Sequence, residues 1–161
     1  MPERSFGDSP QKLMEKKHLK HKQLKYIVLG FIFWFIVDWG TAGGFYQKYY
    51  KNILPLAIII YSFFPLVFSF VIFRFNLRGK KLFLLTFFTA LFSEIILFKN
   101  FMLLEFPKLF LFIPAALAIY SYIVFTPLWI IENRFKENKN KIIFFTILFI
   151  LISILSIFTQ K

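Results

Sequence analysis

Two carboxylates are the residues best placed to do chemistry. Asp38 and Glu94 each fall inside a long apolar run, where an ionisable side chain is costly and by default marks a functional site. Asp38 follows Tyr26 by twelve residues and Glu94 follows Leu82 by twelve, counting from where each run begins. At the rise of an α-helix this puts both ~18 Å along their segments. Acidic groups at one level on two helices could bind or conduct a cation, a proton or a small amine. The plainer alternative is pairing with Lys48, Lys51 or Lys99, or hydrogen bonds to a neighbouring Tyr or Ser, which would only fix helix packing.

Companion polar groups fall at the same level. Counted from the opposite ends of their runs, Tyr61 and Ser62 of the second reach it, and in the fourth the count lands near Leu117, with Tyr120 and Ser121 just below. Pro65 deprives the Tyr61 carbonyl of its helical donor. The candidate ligand-binding set is therefore Asp38, Glu94, Tyr61, Ser62, Tyr120 and Ser121. Helical periodicity groups Thr86, Thr89, Ala90, Ser93 and Glu94 on one face. It groups Pro114, Ala118, Ser121, Tyr122, Phe125 and Trp129 on another. Trp34 precedes Asp38 by one turn, and Gly40 with Gly44 forms a GxxxG pair suited to close helix packing.

Other chemistry lacks its residues. Without Cys there is no disulfide, thiolate site or cysteine nucleophile, and His18 and His21 stand in a basic tail with no third metal ligand nearby. Neither a metal nor a cofactor is implied. No phosphate-binding loop, HExxH or GxSxG sequence occurs. Two carboxylates can still serve acid–base or lipid phosphoryl chemistry, which keeps a lipid-modifying enzyme as one alternative.

The elements that must position these residues are five apolar runs, about 26–45, 53–73, 82–98, 109–131 and 142–158. Each approaches the ~20 residues of a transmembrane helix, the third and fifth being short. The expected fold is an all-α, five-span membrane bundle behind a partly helical basic tail, residues 1–25. Ser9-Pro10 reads as the cap and first position of a helix leading into the first run. Of the twenty Lys and Arg, fifteen lie in the tail and in the second and fourth loops. The positive-inside rule then places the N-terminus in the cytoplasm and the C-terminus outside. Phe45, Tyr46, Tyr49 and Tyr50 supply an outer aromatic belt. A cleaved signal over residues 1–42 fits poorly with so long a tail and with Asp38-Trp39 beside the cleavage site.

The formal charge of +12 would suggest nucleic acid in a soluble protein. In a membrane chain it belongs to loops that set topology and touch anionic lipid headgroups, so lipid and not nucleic acid is the expected partner. A prokaryotic cytoplasmic membrane is the default location. Five spans are few for a transporter acting alone, so a cation site implies a homodimer. The remaining alternative is an accessory subunit of a larger membrane complex.

Overall fold

The computed structural model describes the backbone of residues 10–41, 50–97, 106 and 109–159, and most of their side chains. Among these residues there are five helices and no strand. They are α1 (Pro10–Thr41), α2 (Tyr50–Arg74), α3 (Gly79–Phe92), α4 (Leu109–Ile131) and α5 (Lys139–Thr159). A π-helical turn, Ser93–Leu97, continues α3.

Residues 10–25 of the basic tail belong to the same helix as the first apolar run. α1 runs unbroken for 32 residues from Pro10, a rod of ~48 Å, and its residues 14–21 are exposed. Burial begins at Tyr26, whose hydroxyl donates to the Val124 carbonyl of α4 at 3.2 Å. From there every third or fourth residue (Gly30, Trp34, Val37) is buried, the period of a helix with one face in a core.

α1 and α4 form the centre. α2 packs on α1, α3 on α4, and α5 against both. Gly30 lets α1 and α2 approach closely: a Cβ there would stand 2.9 Å from the Pro65 Cβ. Gly40 does the same for α1 and α5, where a Cβ would meet the Phe149 ring tip at 2.6 Å. The glycine read as a packing position thus faces α5 of its own chain. α5 is held further by Tyr122, which stacks on Phe149 and lies 3.3 Å from the Thr146 Oγ1.

Two turns close one end of the bundle in the same way. Asn76 and Asn133 both take the left-handed conformation. In each turn the next amide reaches back five residues, Leu77 to the Ile72 carbonyl at 3.0 Å and Arg134 to the Trp129 carbonyl at 2.8 Å. This is the Schellman helix end, in which Asn can replace Gly. Arg78 from the first turn pairs with Glu132 from the second at 2.5 Å. His18, His21, Lys22 and Lys25 of α1 line a hollow with residues 130–133. The three basic segments of the sequence therefore meet at one end of the molecule.

The stretch Phe112–Ile131 is long and apolar enough to cross a membrane, with mean hydropathy 1.7, and is the one such stretch among the described residues.

Candidate functional site

The Glu94 carboxylate accepts a hydrogen bond from the Tyr120 hydroxyl at 3.1 Å. The face of α3 read from the sequence is what delivers it. Of that face Thr86, Ala90 and Ser93 are buried and Thr89 is half-buried, with Leu82 buried one turn before Thr86; α3 packs on α4, and Thr86 spends its hydroxyl on the Leu82 carbonyl of its own helix at 2.8 Å. Glu94 follows as the second residue of the π-helical turn. A π turn widens the helix by one residue and re-aims the side chains that follow, and such turns recur at functional sites.

Behind Tyr120 stands an aromatic wall. Trp34 of α1 meets the Tyr120 ring edge-on, with centroids 5.2 Å apart, and stacks on Phe64 of α2 at 4.8 Å. Tyr61 is buried one turn before Phe64 and lies edge-on to Phe35 at 6.3 Å. These rings come from three helices, so the orientation of Tyr120 depends on the packing of all of them.

The sequence-derived residues are thus divided. Glu94 and Tyr120 are joined, and Tyr61 is in the adjoining aromatic core. Ser62 points outward and bonds the Ile58 carbonyl at 2.8 Å, because it is one residue, or ~100°, past the buried Tyr61. Ser121 is buried but faces the other side of α4, in a groove flanked by α3 and α5. Asp38 sits on α1 one turn beyond Trp34, and its side chain lies outside the described residues, as does Gly44.

Sequence reasoning passed over the groove itself, whose volume is about 550 Å³. Its floor is the α4 stripe Pro114, Ala118, Ser121, Phe125 and Trp129. The sequence showed it as a periodic face together with Tyr122, which instead packs against Phe33 and Phe149. Its meaning depends on α3 and α5 flanking it, which periodicity does not reveal.

No protein-family model, curated protein or solved structure matches this chain.

Proposed function

We propose that the chain is a five-span membrane protein, with its basic end in the cytoplasm, that binds a small protonated amine at Glu94. Several features support the membrane reading. Phe112–Ile131 is long and apolar enough to cross a membrane. Phe63, Phe70, Phe88, Phe92, Phe110 and Phe144 are each more than half exposed, an apolar coat that suits lipid and would promote aggregation in water. The gathering of Lys and Arg at one end matches the charge bias of inward-facing loops.

The observation that carries the binding reading is the Tyr120–Glu94 hydrogen bond at the π-helical turn. The phenol orients the carboxylate, and the carboxylate supplies the charge that an ammonium group seeks. Among the described residues the site offers one carboxylate, which suits an ammonium better than a calcium ion, which takes six to eight oxygen ligands.

Thermal unfolding of detergent-purified protein against a series of primary alkylamines tests this reading. A ligand at 100 times its Kd adds ~2.7 kcal/mol of stability. Glu94→Gln is expected to fold and to lose that response. An unchanged response in Glu94→Gln would refute the amine site. Co-purification with a larger complex, together with indifference to Glu94→Gln, would indicate an accessory subunit instead. Recovery of folded protein without detergent would refute the membrane reading at the outset.

A further inference from the structure

The groove over α4 has a polarity that the Glu94 site lacks. Along its length Phe83, Ala118, Phe125 and Phe145 present apolar surface. At its mouth are Lys80, Arg134, Asn138 and Lys141. Lys141 extends over the Trp129 ring, 5.8 Å from its centroid, and donates to the Asn138 Oδ1 at 3.2 Å. Asn138 is buried and in turn donates to the Arg134 carbonyl at 3.0 Å. The carboxylate of Glu137 offsets part of this charge by pairing with Arg134 at 3.0 Å on the exposed side.

The mouth is also where two helices begin. Gly79 and Lys80 open α3, and Lys139 opens α5 directly after Asn138. The residue before α3, Arg78, makes no side-chain cap. Its guanidinium instead bonds the Ile72 and Leu77 carbonyls and pairs with Glu132. First-turn amides at such ends carry partial positive charge and favour an anion. Gly79 is exposed, with nothing within 4 Å of where a Cβ would lie, and at α5 the Lys139 amide already donates to the Lys136 carbonyl at 3.4 Å.

Length and width complete the fit. From Pro114 to Trp129 the floor extends ~22 Å by the helical rise, enough to span the ~15 Å of one hydrocarbon leaflet. Pro114, Ala118 and Ser121 are small, and this is what leaves room above α4. An apolar trough with a cationic mouth is complementary to one kind of amphiphile.

We propose that this groove binds one anionic phospholipid. Its phosphate sits at the mouth against Lys80, Arg134, Lys141 and the first turns of α3 and α5, and an acyl chain lies along the α4 floor. The proposal rests on the membrane part of the reading above and is independent of the Glu94 site.

The test uses full-length protein in neutral detergent, stripped of lipid, with native mass spectrometry and thermal unfolding as readouts. The probes are phosphatidylglycerol, phosphatidylcholine and glycerol 3-phosphate. Phosphatidylglycerol is expected to bind one to one and to stabilise more than phosphatidylcholine, with glycerol 3-phosphate giving little. Joint substitution K80Q/R134Q/K141Q is expected to weaken phosphatidylglycerol by about tenfold or more, since each cation near a headgroup contributes appreciably. The matched control K16Q/K17Q/K20Q, on the exposed part of α1, should change it less than about twofold. Ser121→Leu fills the floor and should remove phosphatidylglycerol binding while every cation stays in place. Lys80→Gln alone, at an exposed position, serves if the triple variant does not fold, and should weaken binding by a few-fold.

Equal effects of the two phospholipids would overturn the proposal, as would equal losses in the triple variant and its control. Glycerol 3-phosphate matching the whole lipid would overturn it in favour of a free phosphate site. Loss of the amine response in Glu94→Gln with lipid binding intact separates the two sites. A detergent-purified protein without lipid preference refutes this inference alone.

Discussion

Tyr120 and Ser121 are neighbours on α4, both buried, and their hydroxyls have opposite fates. The Tyr120 hydroxyl donates to Glu94 within a face closed by α1, α2 and the end of α3. Among the described residues the Ser121 hydroxyl has no hydrogen-bond partner, and Ser121 lines the floor of an open groove. One residue along a helix is a turn of ~100°, enough to pass from a filled interior to an unfilled one. The closed face uses its polar group to hold a carboxylate in position. The open face uses a serine for its small volume and leaves the oxygen unpaired. A buried polar atom is therefore not evidence of a site until the space around it is known.

The largest effect that sharpens this contrast is on the closed side. Gly30→Leu drives a side chain into the Pro65 ring, which cannot swing away. It is expected to destabilise by about 3 kcal/mol or more, read as a lowered Tm in detergent. Tyr120→Phe removes one hydrogen bond to a carboxylate and keeps the ring against Trp34, so a loss of about 1–3 kcal/mol is expected. Ser121→Ala gives the smallest effect. In lipid-free protein it removes an unpaired buried oxygen, and the expected change is neutral or stabilising by up to ~1 kcal/mol. Should Tyr120→Phe and Ser121→Ala cost the same, the distinction between the two faces of α4 would fail.

Much of this was legible in residue types and spacing. Most of the periodic faces of α3 and α4 is buried or lines the groove as the repeats imply, with Tyr122 turned instead against Phe33 and Phe149. α1 is central, in contact with α2, α4 and α5. Depth counting placed Tyr120 close to the level of Glu94, because α3 is a regular α-helix up to Phe92, two residues before it. It placed Ser62 and Ser121 at the same level and gave no information about rotation, so neither stands with the pair. The π-helical turn was not foreseen, since nothing in Ser93-Glu94-Ile95-Ile96-Leu97 marks an extra residue per turn. Gly30 was passed over because its role depends on Pro65, thirty-five residues away in another helix. The lipid groove needs three helices at once, and a pattern within one helix cannot report it.

The continuity of α1 has a mechanical consequence. Residues 14–21 are exposed, the Ser69 hydroxyl of α2 donates to the Gln23 carbonyl at 3.3 Å, and the helix continues without a break into the segment that carries Trp34. A hydrogen-bonded rod of that kind transmits tilt and rotation along its axis instead of absorbing them in a hinge. Whatever grips Lys16 and Lys17 therefore also turns the indole that stacks on Phe64 and abuts Tyr120. A load on the polar overhang becomes a torque on the aromatic wall behind Glu94.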